Sequence, residues 1–223
     1  MVSGSVFGPH PWETWAVPRP VCRAPEHDGP VTPGFERVCV FSGSNPGTRP
    51  EYMEAARAFG SYLADGGIHL ICGGASVGRM GAVADGVIGG GGRVTGVTTR
   101  HLVAEDVAHH GLTELRVVDT MHERKSVMVE LSEAFVVLPG GFGTIEEAFE
   151  VLTWTQLRVH VKPVGFLNVA GYFDPLLTFL DHALVEGFLR GEHREMVVIE
   201  NSIDRLIVRL AAFNPPVIEK WIR

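Results

Sequence analysis

The sequence has few cysteines and little positive charge. Its 223 residues contain three widely spaced cysteines, Cys22, Cys39 and Cys72, with no Cys-x-x-Cys pair. Cys39 and Cys72 stand inside apolar strand patterns, so we expect buried free thiols in a reducing cytoplasm. Nineteen Lys and Arg residues stand against 26 Asp and Glu residues, which gives a net charge of −7. This balance argues against a general nucleic-acid-binding protein, because binding to phosphate backbones requires clustered positive charge.

Long hydrophobic runs and common cofactor motifs are also missing. No apolar run approaches the length of a membrane span. The first residues lack the basic region and the apolar core of a secretory signal. We therefore expect a cytoplasmic protein without membrane contact. Glycines stand at 73, 74, 78 and 81, which is not the Gly-x-Gly-x-x-Gly dinucleotide fingerprint, and no Walker motif occurs. Close packing of a helix on the sheet explains Gly78 and Gly81 at least as well as a ligand does. The ten histidines form no His-x-x-x-His pair, so no metal site is expected.

Proline marks the ends of the regular part of the chain. Seven prolines and no periodicity over residues 1–36 predict an irregular N-terminal arm. We expect one nucleotide-binding catalytic domain over residues 37–214, since this length suits a single α/β domain. The pair Pro215-Pro216 ends the last helical pattern and leaves a short tail over residues 215–223.

Apolar strand-like runs alternate with helical patterns between these ends. The alternation predicts a Rossmann-like α/β fold, a doubly wound parallel sheet of about seven strands with helices on both faces, in three α/β/α layers. In such sheets ligands bind outside the carboxyl ends of the strands. Residues 98–113 are predicted to be irregular. The predicted strands are 38–41, 69–72, 93–97, 115–118, 134–138, 163–167 and 196–199, and the longer predicted helices are 50–64, 120–132, 144–159, 174–187 and 202–212.

A glycine-rich turn joins a predicted strand to a predicted helix at residues 138–147, Leu-Pro-Gly-Gly-Phe-Gly-Thr-Ile-Glu-Glu. Gly140, Gly141 and Gly143 let the backbone approach a ligand closely, and the N–H groups and dipole of the new helix favour an anion such as phosphate. Thr144 adds a hydroxyl at the helix mouth, and Glu147 places a carboxylate one turn later. The alternative is a capping box, in which Thr144 and Glu147 satisfy each other's backbone donors. The glycines favour the ligand site, because a cap needs none of them.

Arg124 is the second candidate functional residue. Val127, Met128 and Leu131 follow it at helical spacing, so Arg124 should face inward, where its charge needs a partner. That partner is Glu147 or a substrate phosphate. The alternatives are a structural Arg–Glu pair and a surface arginine at a helix start. For the neighbouring Lys125 the ordinary interpretation is a solvated side chain.

Two motifs together resemble a known family. Pro-Gly-Gly-x-Gly-Thr-x-x-Glu at 139–147 and Met-His-Glu-Arg-Lys at 121–125 resemble the signatures of the LOG ("Lonely Guy") family. Its members are cytokinin riboside 5′-monophosphate phosphoribohydrolases, often mislabelled lysine decarboxylases. The resemblance extends from about Arg37 to Phe213 and implies a homodimer that needs no cofactor.

The resemblance also implies roles for individual residues. It makes Arg124 and Glu147 catalytic and places the substrate phosphate on Gly140, Gly141, Gly143 and Thr144. Asp106 departs from the family, whose members commonly carry a glutamate there that helps to bind the base, and Glu105 beside it could compensate. The base preference therefore does not follow from the sequence. The remaining substrate-binding residues implied by the resemblance are Gly43, Ser44, Asp106, Lys125 and Thr153.

The implied reaction is hydrolysis of the N-glycosidic bond of adenosine 5′-monophosphate, N6-modified or not, to the free base and ribose 5-phosphate. The alternative is a non-enzymatic nucleotide-binding or molybdenum-cofactor carrier protein of related fold, against which the presence of both Arg124 and Glu147 argues. A lysine decarboxylase is the least expected function. It would need pyridoxal phosphate, and no lysine stands in a plausible Schiff-base setting.

Overall fold

The fold is built on a sheet of seven parallel strands. The computed structural model describes residues 34–104 and 108–216, and every strand pair of the sheet within them is parallel. The strands are β1 (Arg37–Phe41), β2 (His69–Cys72), β3 (Val94–Thr99), β4 (Glu114–Val118), β5 (Ala134–Val137), β6 (Val164–Leu167) and β7 (Val197–Glu200).

Helices connect the strands in sequence. A short 3₁₀ helix, Val169–Gly171, follows β6. The α-helices are α1 (Pro50–Asp65), α2 (Gly78–Gly89), α3 (Arg100–Ala104), α4 (Met121–Leu131), α5 (Phe142–Gln156), α6 (Asp174–Val185), α7 (Gly191–Glu195) and α8 (Ile203–Ala211).

The strand order is β4-β3-β2-β1-β5-β6-β7. The chain adds strands on one side of β1 as far as β4 and then returns to add β5 to β7 on the other side. The direction of winding therefore reverses between β1 and β5, which pair along residues 38–41 and 134–137. A crevice opens at such a reversal, because the loops that leave the two strands diverge to opposite faces of the sheet.

Both faces of the sheet are buried, which explains the continuous apolar strand sequences. In β1, Val38 and Val40 face one core with α1, α2 and α8, while Cys39 and Phe41 face a second core with α4, α5 and α6. Both Cys39 and Cys72 are buried free thiols, as predicted. The three-layer α/β/α prediction is confirmed.

The main errors of the sequence prediction concern the segment after β3, the bounds of helices and one short helix. The predicted irregular segment 98–113 contains the end of β3 and all of α3, and α7 was not predicted. The helix predicted to begin at Thr144 begins at Phe142 and ends at Gln156. Of the predicted arm over residues 1–36, only 34–36 are described, and there Phe35 packs into a core cluster. The predicted tail lies outside the described residues except for 215–216.

The glycines after β2 allow close contact between loops. A side chain on Gly78 would collide with the Ser44 carbonyl, and one on Gly81 with the Ser76 carbonyl. Gly78 also has a φ of +59°, a backbone conformation that favours glycine. Packing, rather than a dinucleotide fingerprint, therefore accounts for these two residues. Among the helices within residues 34–104 and 108–216, none is long and apolar enough to cross a membrane.

Candidate active site

The candidate active site lies at the carboxyl ends of β1 and β5, where the winding reverses. The loop after β1 and the loop after β5 touch here: a Cβ on Gly43 would lie 3.4 Å from the Cα of Gly140. The hydroxyl of Tyr172, which follows the 3₁₀ helix, donates to the Gly140 carbonyl at 2.6 Å. The glycine turn is thus fixed from two sides.

The N-terminus of α5 is arranged to receive an anion. Its N-cap residue is Gly141, and no side chain caps it. Gly140 is needed for packing, because a side chain there would collide with the buried Thr144. Gly141 and Gly143 are exposed, and a side chain at either would enter open space. The first backbone N–H groups of a helix have no partner within the helix, so this turn offers several donors to a ligand that approaches its glycines.

The capping-box alternative for Thr144 and Glu147 is wrong. Because α5 begins at Phe142, Thr144 lies inside the first turn instead of at the N-cap. Glu147 reaches Arg124 instead of a backbone donor of its own helix. A related cap occurs on α4, where the N-cap Thr120 accepts from the Glu123 N–H at 3.1 Å and Glu123 accepts from the N–H of Asp119, the residue before the N-cap, at 3.0 Å. That cap fixes the start of the helix that carries Arg124.

Arg124 and Glu147 form a buried ion pair behind the α5 mouth. The Arg124 Nη1 donates to Glu147 Oε1 at 2.9 Å, and the Arg124 Nε donates to the Val97 carbonyl oxygen at 2.9 Å. Arg124 is 5% exposed and Glu147 8%. The guanidinium thus connects β3, α4 and α5, and it faces inward as the sequence pattern predicted. Room for it comes from Gly73 at the end of β2, where any side chain would collide with the guanidinium.

Two opposing effects act on the pKa of Glu147. Burial raises it, because a carboxylate loses water, while the charge and hydrogen bond of Arg124 lower it, and burial prevails. A carboxyl whose pKa is raised by burial and which has one specific charged partner is typical of functional sites. Glu147 combines both features, since it is buried and is held by Arg124.

The structure brings some of the other predicted residues to this crevice and leaves others away from it. Gly43 lies in the loop after β1, where this loop meets the loop after β5, and the neighbouring Ser44 is exposed. Lys125 is buried and not solvated: its Nζ donates to Glu146 at 2.5 Å and to Glu150 at 3.0 Å. Burial alone would lower the Lys125 pKa, but these two carboxylates outweigh it and raise the pKa.

One predicted substrate-binding residue lies away from the α5 N-terminus, and another is outside the described residues. Thr153 is exposed nine residues beyond Thr144, about 13 Å along the axis of α5. Its hydroxyl donates to the Phe149 carbonyl of its own helix at 2.6 Å. Asp106 lies outside the described residues. Substrate contacts by Lys125, Thr153 and Asp106 stay predictions.

Sequence reasoning missed two residues of the crevice, Arg79 and Tyr172. Arg79 is the second residue of α2 and is only 5% exposed. A charged residue directly after Gly78, at the start of a mostly apolar helix, is a signal that was available in the sequence. Tyr172 gave no such signal, because it reaches Gly140 across 32 positions of sequence.

Comparisons with known proteins agree with these observations. A family model described as "Possible lysine decarboxylase" matches residues 80–210. A rice protein named probable cytokinin riboside 5′-monophosphate phosphoribohydrolase LOGL5 is 47% identical over 82% of this chain and 74% of its own length. The Arabidopsis thaliana cytokinin riboside 5′-monophosphate phosphoribohydrolase LOG7 is 44% identical over 81% of this chain and 83% of its own.

A solved structure has a similar fold. The molybdenum cofactor binding protein from Rippkaea orientalis superposes with a TM-score of 0.58 over 77% of this chain and 92% of its own, at 22% identity. At that identity the likeness concerns the fold alone. The identity to the plant proteins, together with the two motifs on α4 and α5, shows that the chain belongs to the LOG family.

Proposed function

We propose that this protein is a nucleoside 5′-monophosphate phosphoribohydrolase that acts on cytokinin riboside 5′-monophosphates, which are N6-modified adenosine 5′-monophosphates. It releases the free base and ribose 5-phosphate. The names of the similar plant proteins support this reaction. The observation that carries the proposal is the buried Arg124–Glu147 pair directly behind an uncapped, glycine-lined helix N-terminus.

The α5 N-terminus binds the 5′-phosphate in this proposal. Gly141 and Gly143 leave its backbone donors accessible, and the helix dipole favours a dianion. Holding the phosphate also places the ribose, because the two groups are covalently joined. Binding energy at this remote group lowers the barrier at the glycosidic bond.

Glu147 acts on the ribose. As the bond between ribose C1′ and the base nitrogen breaks, the base keeps the electron pair and positive charge develops on the sugar. A carboxylate beside the sugar stabilises that charge and orients the water whose oxygen bonds to C1′. The water loses one proton as this bond forms, and the departing base, which kept the electron pair, gains one proton. Low exposure makes this interaction stronger than it would be in water.

Arg124 positions this carboxylate. Its Nε is anchored to the Val97 carbonyl and its Nη1 to Glu147, so the guanidinium orients one carboxylate oxygen. Its charge also opposes the effect of burial on the Glu147 pKa. The carboxylate therefore stays available in its ionised form over a wider pH range than burial alone would allow.

Lysine decarboxylation, the activity in the family model's description, receives no support from the described lysines. Lys125 is held by Glu146 and Glu150, and the Lys162 Nζ donates to the Val129 carbonyl at 2.6 Å. A Schiff-base lysine must present a free amine to the cofactor. Neither side chain does so.

A homodimer is part of the proposal. Large apolar side chains are exposed at the mouth of α5 and after its end, among them Phe142 at 98%, Val159 and Val161. Exposed apolar surface of this kind favours association with another chain. Light scattering at micromolar concentration should give twice the 24.2 kDa chain mass, and a monomer would contradict the assembly without affecting the reaction.

The requirement for phosphate tests the proposed binding mode. N6-isopentenyladenosine 5′-monophosphate should be cleaved at least a hundredfold faster, as kcat/KM, than the matching nucleoside. Equal values for the two compounds would remove the α5 N-terminus from the mechanism.

A further inference from the structure

Arg79 carries a buried charge that no described acidic side chain neutralises. The residue is 5% exposed, and its Nε is buried without a hydrogen-bond partner. Among the ion pairs of residues 34–104 and 108–216, none includes Arg79. Burying a charge without a partner strongly opposes folding, so a group outside the described protein atoms is expected to neutralise it.

The Arg79 guanidinium lies against the loop that follows β1. A Cβ on Gly43 would lie 2.5 Å from its Nη2, and one on Gly47 would lie 3.1 Å from its Nη1. The same Cβ position on Gly43 is 3.4 Å from the Cα of Gly140. Gly43 therefore separates the guanidinium from the glycine turn that opens α5. The absence of side chains at these glycines is what admits the guanidinium to the crevice.

A second polar group beside it also lacks a partner. Ser42, the residue before Gly43, is buried at the carboxyl end of β1, and its hydroxyl has no hydrogen-bond partner. Two unsatisfied buried groups at one edge of the sheet are unusual, because buried polar groups are nearly always paired. Gly43, which follows Ser42 and meets the Arg79 guanidinium, also touches Gly140 of the turn whose backbone donors are available. A ligand with several acceptor oxygens fits this set.

We propose that Arg79 is a phosphate-binding residue and that it holds the substrate's 5′-phosphate together with the first turn of α5. The source of the phosphate, a nucleotide, rests on the proposed function. The planar guanidinium offers two parallel N–H groups to a phosphate, which makes its hydrogen bonds short and strong. Arg79 thereby neutralises a dianion that the helix dipole alone neutralises only in part.

The competing explanation is structural. The guanidinium lies 6.0 Å from the centre of the Tyr52 ring, a cation–π distance. If this contact is the reason for Arg79, its removal destabilises the ligand-free protein and leaves anion binding unchanged. If Arg79 binds phosphate, its removal relieves an unpaired charge, so the ligand-free protein stays as stable or becomes more stable.

Titration with inorganic phosphate separates the two explanations without depending on turnover. The experiment compares the full-length wild type with Arg79→Met, which keeps much of the volume, and Arg79→Lys, which keeps the charge. Arg57→Met, which removes an exposed arginine from α1, is the control for net charge. Calorimetry gives Kd for phosphate, and thermal melts with and without phosphate give Tm.

Arg79→Met should raise Kd for phosphate at least tenfold, with the ligand-free Tm unchanged or higher. Arg79→Lys should retain part of the affinity, and Arg57→Met should match the wild type. With nucleotide as substrate, KM of Arg79→Met should rise at least tenfold as well. Phosphate binding through Arg79 in a protein that cleaves no nucleotide would refute the proposed function while leaving the anion site in place.

Three results would overturn the inference. They are a Kd for Arg79→Met within twofold of the wild type, no phosphate binding by the wild type, and loss of the fold in Arg79→Met. The last would mean that the fold itself requires the charge.

Discussion

Replacement of Glu147 by glutamine separates catalysis from structure at the buried pair. Glutamine keeps the shape and one oxygen that accepts from Arg124, but it removes the charge that stabilises the sugar in the transition state. Loss of one such electrostatic interaction lowers kcat by about a hundredfold to a thousandfold, or about 3–4 kcal/mol. Nucleotide binding should change little, because the interaction strengthens only in the transition state.

Glu147→Gln should also lower the free energy of unfolding, independently of its effect on catalysis. Arg124 and Glu147 are 5% and 8% exposed, so the guanidinium would keep a buried charge with no counter-charge. Complete removal of one partner of such a pair costs about 3–5 kcal/mol. Because the glutamine oxygen retains a hydrogen bond, we expect a loss of about 1–3 kcal/mol, which lowers Tm by about 2–12 °C in a chain of this size.

Glu146→Gln is the matched control. It makes the same chemical change one position earlier, on a carboxylate that is 55% exposed and pairs with Lys125. Lys125 keeps its second partner, Glu150, so the control should lose little stability and little activity. Single-turnover product formation at 25 °C, calorimetric AMP binding and thermal melts should be measured on both variants. A Glu147→Gln enzyme whose kcat stays within threefold of the control, at whatever Tm, would refute the catalytic role.

Further predictions concern the glycine turn and the pH dependence. Gly143→Ala should stabilise α5 by about 0.5–1 kcal/mol, because alanine has a higher helix propensity than glycine, yet it should raise KM for nucleotide at least tenfold. Gly140→Ala should instead lower Tm, because the new Cβ collides with Thr144. Burial raises the pKa of Glu147, and the active form is ionised, so kcat/KM should fall on the acid side with an apparent pKa above the ordinary glutamate value of about 4.3. Burial, with a smaller effect of Lys162, lowers the pKa of His160 to about 4. The neutral ring therefore contributes its full stability above about pH 6.5, the pKa of histidine in the unfolded chain, and this stability is lost as the pH falls towards 4. His160→Phe should make Tm depend less on pH between these two values.

The alternation of strands and helices could be read from the sequence because both patterns are local. Strand 69–72 was predicted to the residue, and the inward face of Arg124 followed from the apolar residues after it. The strand order could not be read in the same way, because pairing of β1 with β5 joins segments about a hundred residues apart. The start of α5 was misplaced because its N-cap is a glycine, which has no capping side chain to mark it.

The site was predictable where a motif stood within one segment, and less so where distant segments meet. Lys125 was expected to be solvated because its partners, Glu146 and Glu150, lie on another helix. The position of Arg79 depends on Gly43 and Gly47, which come from the loop after β1. The partners of Lys125 leave no trace in the local sequence pattern. For Arg79 the pattern shows only a charged residue after Gly78 and not the loop that the side chain meets.

Identification of the reaction products is the most direct test of the proposed phosphoribohydrolase activity. The purified protein is incubated with N6-isopentenyladenosine 5′-monophosphate, and the products are separated and identified by liquid chromatography with mass spectrometry. We expect free N6-isopentenyladenine and ribose 5-phosphate in equal amounts. Glu147→Gln should form both products at no more than about one hundredth of the wild-type rate. Intact nucleotide after long incubation, or release of the nucleoside and inorganic phosphate, would contradict the proposed activity.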